Sequence, residues 1–218
     1  MFLTKLTINP QSPDFRRDAS DVHDMHRTVM AAYPELPPTT VYRSTHGVLW
    51  RVDELPGGQI VQYVQSQTAP DWSHLPERSL LRPAEVRPLQ PLLESIRPGR
   101  KLTFRLMANP TRCVQRKRIP LRQPTEQVEW LVGKGERHGF VVPVSRQGTP
   151  DVVATPAARL VGKKRQARHI TIDPVRYDGH LVVTDPEAFT AALVNGIGRA
   201  KAYGCGLLSL APARSISA

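Results

Sequence analysis

The stretch DVHDMHRTVMAAYP, Asp21 to Pro34, places two histidines three residues apart with an arginine beside them. Imidazole titrates near neutral pH and can give or take a proton. Two imidazoles on one helix flank can therefore act as an acid/base pair. Asp21 is the expected N-cap, and Asp24 is its expected capping-box partner. Val22, Met25, Val29 and Ala32/Tyr33 recur at helical spacing, so they form the packing face of a helix ending before Pro34. His26 lies at the edge of that stripe, and His23 and Arg27 lie on the same flank. Alone, a histidine at such an edge is more often structural. A zinc pair from His23 and His26 lacks an apparent third ligand. Magnesium on Asp21 and Asp24 competes with capping, which already explains both acids.

Charge points to the partner. The chain of 218 residues has 30 Lys and Arg against 19 Asp and Glu, a formal net charge of +11. Such an excess favours a polyanion, most often nucleic acid. Two basic clusters fall in expected loops or hairpin tips: Arg112, Arg116, Lys117, Arg118 and Arg122, and Lys163, Lys164, Arg165 and Arg168. Aromatic residues make up only 6 % of the chain, and the sheet aromatics that stack unpaired bases are missing. Folded RNA held by its phosphates fits better. Cleavage beside a 2′-hydroxyl then needs only a base for that hydroxyl and an acid for the departing 5′-oxygen.

Other classes find little support. Cys113 and Cys205 form neither a disulfide framework nor a zinc motif. No signal peptide or membrane span is read, so a cytoplasmic protein without membrane contact is expected. The segment GIGRAKAYGCGLLSLAP has four glycines within eleven residues, together with Arg199 and Lys201. It matches neither a Walker A loop nor a dinucleotide fingerprint. Its glycines suit either close approach to an anion or a helix C-cap at Gly196 or Gly198.

The elements that must position these residues follow from periodicity. Phe2 to Ile8 reads as a half-buried strand, followed by a polar loop and the histidine helix. VLWRVDEL and QIVQYVQSQ form a hairpin about Pro56-Gly57-Gly58. DWSHLPERSLL is a short helix candidate, and the proline-rich run from Pro76 to Pro98 is the expected linker, with a further strand within Pro88 to Ile96. KLTFRLMANP then starts a second series. A helix is expected over TEQVEWLVGKG, with Thr125 as N-cap and an end at Gly133 or Gly135. Strands follow at FVVPVSR, RHITIDPVRY and HLVVTD, with a turn at Asp178-Gly179. Asp185-Pro186 caps a further helix, and LLSLAP closes the chain as a strand. This order predicts an α+β fold of tandem ferredoxin-like (RRM-like) βαββαβ domains, at 1–90 and 98–214.

DMHRTV, FRLMANP, EQVEWL, DGHLVVTDPEAF and the closing glycine-rich segment together resemble the CRISPR RNA-processing endoribonucleases of the type I-E Cascade complex, the CasE family. The resemblance implies tandem ferredoxin-like domains and metal-independent cleavage of a CRISPR repeat at the base of its stem-loop. The implied products carry a 2′,3′-cyclic phosphate and a 5′-hydroxyl, no cofactor is implied, and the implied partners are repeat RNA and other Cascade subunits. The family's catalytic histidine falls on His26. Its usual tyrosine three residues earlier is His23 here, so His23 is expected to complete the acid/base pair, with Arg27 offsetting phosphate charge. The family's basic hairpin falls on Lys163 to Arg168, and Arg112 to Arg122 is a second clamp. Gly198, Gly204 and Gly206, with Arg199 and Lys201, are expected near the RNA. A non-cleaving RNA-binding subunit of the same ancestry, and an unrelated ribosome-associated or DNA-binding protein, are the competing classes.

Overall fold

The computed structural model describes residues 1–35, 45–164 and 168–213, and of Lys164 and Arg168 the backbone alone. A frayed tail is expected from the sequence over Ala213 to Ala218; all of it but Ala213 lies outside the described residues, as does Arg165. By internal contacts the chain divides into two units. The first comprises Met1–Pro91, Arg159–Ile172 and Ala200–Gly204; the second comprises Leu92–Ala158, Asp173–Arg199 and Cys205–Ala218. The expected division at 1–90 and 98–214 follows chain order alone, whereas two segments from the later half group with the first unit.

In the first unit, β1 (Phe2–Ile8), β2 (Leu49–Leu55), β3 (Gln59–Ser66) and β4 (Glu85–Pro88) form an antiparallel sheet of order β2-β3-β1-β4. That is the 4-1-3-2 arrangement of a ferredoxin-like fold. Pro56-Gly57 makes the β2–β3 turn as expected, with Gly57 at φ 84° and Gly58 N–H donating to Leu55 O at 3.1 Å.

Two helices, α1 (Pro13–Ser20) and α2 (Val22–Met30), stand where one was expected. The supposed polar loop is α1. Ser12 Oγ caps Phe15 N–H and Pro13 occupies the first turn, so capping chemistry specifies a helix that has almost no apolar stripe. Conversely, the helix expected at 71–81 shrinks to a 3₁₀ turn at Glu77–Ser79, after Pro76. The proline-rich stretch is no plain linker, because it contains β4 and a short helix α3 (Gln90–Glu94).

Leu6, Ile8, Val22, Met25, Val29, Val48, Trp50 and Val64 make the first core. Leu160 and Ile170 of a further hairpin, β10 (Leu160–Lys164) and β11 (Arg168–Ile172), pack against it.

The second unit repeats the topology. Its sheet runs β13 (Leu208–Pro212), β5 (Lys101–Ala108), β12 (Val175–Val183), β8 (Phe140–Val141), with β9 (Val152–Pro156) also on β12. A hairpin of β6 (Thr111–Val114) and β7 (Lys117–Pro120) projects after β5. Helices α4 (Pro124–Arg137) and α5 (Pro186–Asn195) cover a core that includes Leu106, Phe140, Tyr177 and Phe189.

Four local expectations are corrected. Gln123, not Thr125, is the N-cap of α4, because Pro124 takes the first helical position. That helix continues through Gly133 and Gly135; a Cβ on Gly135 would lie 2.7 Å from Phe140 O, so this glycine serves close packing. FVVPVSR keeps only Phe140–Val141 as strand. Asp178-Gly179 makes no turn but lies inside β12, where a Cβ on Gly179 would meet Asp151 O at 2.3 Å. The Asp185 cap is as expected: its Oδ1 accepts from Glu187 N at 3.0 Å and Ala188 N at 3.1 Å.

Candidate active site

The N-terminus of α2 organises the first unit's cluster. Asp21 Oδ1 accepts from His23 N–H at 2.8 Å, capping the helix. Asp24 forms no capping box; its carboxylate holds Arg27 at 2.5 Å. Capping fixes the start of the helix, and burial of Val22, Met25 and Val29 fixes its rotation. His23 and His26 are thereby held half-buried on one flank, with ring centroids 6.5 Å apart. His23 Nδ1 is buried without a hydrogen-bond partner among the described residues.

A third ring closes the cluster. Tyr203 comes from a 3₁₀ turn, Lys201–Tyr203, flanked by left-handed backbone at Ala200 and Gly204. Its ring lies 6.3 Å from His23 and 6.0 Å from His26, edge-on to the latter. Burial, then the charge of Asp21, pushes its phenol above the ordinary value. Sequence reading passed over Tyr203, although it stood among singled-out glycines. Trp50 fixes the turn: its Nε1 donates to Ala202 O at 3.2 Å, and a Cβ on Gly204 would meet its ring at 3.0 Å.

The basic hairpin reaches the same helix. Lys163 N–H donates to Asp21 Oδ2 at 3.1 Å, while the Lys163 side chain is exposed. Lys164 and Arg168 pair across the hairpin's end. Burial alone would raise the Asp21 carboxyl; backbone N–H groups of His23, Lys163 and Asp24, with the charge of His23, bring it below its usual value instead.

Other candidates stand elsewhere. Arg27 is exposed and turned to Asp24, bordering a cavity of about 460 Å³ with Asp14, Arg17 and His74 rather than joining the histidines. In the second unit, Arg116 sits at the tip of the β6–β7 turn at φ 64°, and Lys117, Arg118 and Arg122 are exposed. Arg112 is bound to Glu126 at 2.8 Å.

The glycines have packing tasks. Gly198, at φ 85°, lies against Trp130. Gly206 donates its N–H to Met107 O at 2.7 Å, which leaves that N–H no free role toward an anion. Arg199 is exposed and Lys201 half-buried. Gly196 is the α5 C-cap. Burial pushes the Cys205 thiol up to about 12, so it is no nucleophile. Among the described residues no three His, Cys, Asp or Glu side chains converge as a metal site, and no helix is long and apolar enough to cross a membrane.

Comparison with known proteins agrees with this architecture. A family model described as "CRISPR associated protein" matches residues 1–212. The CRISPR-associated endoribonuclease Cse3 of Thermus thermophilus is 35 % identical over 219 residues, covering 97 % of this chain and all of that one. The CRISPR system Cascade subunit CasE of Escherichia coli is 29 % identical over 233 residues, with the same coverage. A structure of Cse3 bound to a 19 nt RNA superposes with a TM-score of 0.84 at 34 % identity, covering 97 % of this chain and all of that one. A Thermus thermophilus Cse3 structure with an RNA representing a pre-cleavage complex gives 0.80 at 34 % identity, covering 97 % and 98 %. With two 4-1-3-2 sheets and a match along nearly its whole length, the chain belongs to the CRISPR-associated protein family of Cse3 and the Cascade subunit CasE.

Proposed function

We propose that this chain is a metal-independent endoribonuclease that cleaves CRISPR repeat RNA at the base of its stem-loop and stays bound to the product as a Cascade subunit. The observation that carries the reading is the His23, His26 and Tyr203 cluster, on a helix whose cap also holds the basic β10–β11 hairpin.

One imidazole removes the proton from the 2′-oxygen of the scissile nucleotide, and that oxygen attacks the adjacent phosphorus. The bond to the 5′-oxygen breaks, and the second imidazole, protonated, delivers a proton to the leaving group. The products are a 2′,3′-cyclic phosphate and a 5′-hydroxyl. Two side chains supply both proton transfers, so the chemistry asks nothing of a metal. Rings 6.5 Å apart on one helix flank are close enough for both to reach a single phosphodiester laid across that flank. Arg27 serves the developing charge only by leaving Asp24 for the phosphate. Tyr203 walls the two rings and restricts their rotation.

Lys163, Lys164, Arg165 and Arg168 grip the stem from one hairpin, and Arg116, Lys117, Arg118 and Arg122 from the other. A-form RNA is read here by shape and backbone. Relatives named as an endoribonuclease and as a Cascade subunit support both parts of the reading.

The test is cleavage of the cognate repeat hairpin in EDTA by wild type and His26→Ala, with a second substrate carrying a 2′-deoxy group at the scissile nucleotide. Wild type cuts; His26→Ala, and separately the deoxy substrate, abolish cutting while binding persists. Tight binding by wild type without scission would instead make the chain a non-cleaving RNA-binding subunit.

A further inference from the structure

We infer that Asp21 is a positioning residue that ties the RNA-gripping hairpin to the catalytic helix, so that RNA seated on β10–β11 sets the placement of His23 and His26. The inference rests on the function proposed above.

Capping alone explains only half of this carboxylate. An N-cap needs one acceptor oxygen, which Ser, Thr or Asn supplies equally well. At Asp185, the cap of α5, Oδ1 alone receives both N–H groups. Asp21 divides its oxygens instead: Oδ1 takes His23 N–H of the helix, and Oδ2 takes Lys163 N–H of the hairpin. Asparagine at position 21 would keep the first bond and turn an N–H₂ group toward a second donor.

Gly162 is the second, independent observation. It lies within β10 without the left-handed backbone that would demand glycine, and glycine in a strand marks a close backbone approach. What approaches is the start of α2: a Cβ on Gly162 would lie 2.8 Å from Asp21 Oδ1, 3.0 Å from Val22 Cγ1 and 3.2 Å from His23 N. The strand is thus seated against the residue that caps the helix and against the amide of the first histidine. Leu160 and Ile170 anchor the base of the hairpin in the same core that holds Val22 and Met25. A displacement of β10 therefore passes to the first turn of α2 through a two-bond bracket, with no side chain of variable length between them. Ionisation of Asp21, favoured by the donors around it, keeps both oxygens as acceptors.

Asp21→Asn and Gly162→Ala separate this role from folding and from affinity. Four quantities are measured on each variant: melting temperature, Kd for a non-cleavable 2′-deoxy repeat hairpin, the single-turnover rate at saturating RNA, and hydrogen exchange of the His23 and Lys163 amides with and without that RNA. In the wild type, RNA slows exchange at His23. In Asp21→Asn the Lys163 amide exchanges faster, the His23 amide keeps its cap, and RNA no longer alters it. The saturating rate falls about tenfold or more, as expected for a slight misplacement of reacting groups, while Kd holds and the melting temperature drops only by the small margin of the lost bond to Lys163, leaving the protein folded in the assay. Gly162→Ala gives the same split between rate and affinity.

An unchanged saturating rate in both variants overturns the proposal, as does wild-type His23 exchange that ignores RNA. A loss of rate matched by an equal loss of folded protein also overturns it. If wild type binds RNA but never cuts, the catalytic reading fails and the exchange measurement alone decides whether the bracket exists.

Discussion

The two units share one sheet order and divide the work. In the second, helices of 14 and 10 residues press apolar faces onto a sheet whose β5 alternates buried with partly exposed positions. In the first, α1 and α2 have 8 and 9 residues, and the place of the fold's second helix is taken by a three-residue 3₁₀ turn. That unit completes itself with Arg159–Ile172 and Ala200–Gly204, and both segments bring residues to α2: Lys163 to its cap, Tyr203 to its histidines. The lesson is that a full helix layer covers its sheet unaided, whereas a reduced one leaves room for two segments from later in the chain. The largest test of this contrast sets a histidine from each unit side by side. His26→Ala is expected to lower cleavage about a thousandfold with RNA affinity intact. His180→Ala in the second unit, which removes a partner 2.9 Å from Asp151, should leave cleavage unchanged. Equal losses would erase the division of labour.

The reverse contrast concerns stability. Phe189 is fully buried and meets Phe140 edge-on at 5.8 Å, so Phe189→Ala should cost about 3–5 kcal/mol in denaturant unfolding. The cleavage rate of the molecules still folded should not change; a rate loss on the scale of His26→Ala would show the second core acting on the chemistry. Charge comes next in size. Replacing Arg116, Lys117 and Arg118 with glutamine should weaken RNA binding and flatten its dependence on log salt by about one unit per cation lost. An unaltered slope removes β6–β7 from the RNA. Arg112, engaged by Glu126, should contribute less. Smaller again, Tyr203→Ala should slow saturated cleavage about tenfold by releasing the imidazoles, and Tyr203→Phe should restore it. Loss in the phenylalanine variant would give the hydroxyl, not the ring, the active part.

Much of the fold was legible in the sequence because periodicity reports burial. The alternation in KLTFRLMA and the stripe Val22, Met25, Val29 both read correctly, as did the turn at Pro56-Gly57 and the cap at Asp185. The failures have two causes. Gly179 and Gly135 resemble punctuation, yet each answers to a backbone brought close by tertiary structure. Helix α1 was missed because its signal lies in Ser12 and Pro13, not in an apolar face. For the candidate site, residue types pointed to His23 and His26, and the family resemblance pointed to the basic hairpin at Lys163 to Arg168. What local reading could not reach were the long-range pairings: Tyr203 arriving at α2, Lys163 arriving at Asp21, and Arg27 turning to Asp24 instead of the histidines.

The finest comparison is between the two aspartate caps. Asp185 serves one helix through one oxygen, so Asp185→Asn can keep both bonds and should change stability little at any pH. Asp21 serves a helix and a strand through two oxygens, and its folded-state value lies below the ordinary 3.8. A carboxyl depressed by folding binds its proton more weakly folded than unfolded. Its contribution is therefore complete above the unfolded value and is lost as pH falls through the folded one. Wild type should thus exceed Asp21→Asn in melting temperature by a constant margin at neutral pH, and the margin should close as pH drops from about 5 toward 2. A margin unchanged at low pH would mean that Asp21 acts as Asp185 does, as a cap alone, and the bond to Lys163 would then carry no stability that depends on its charge.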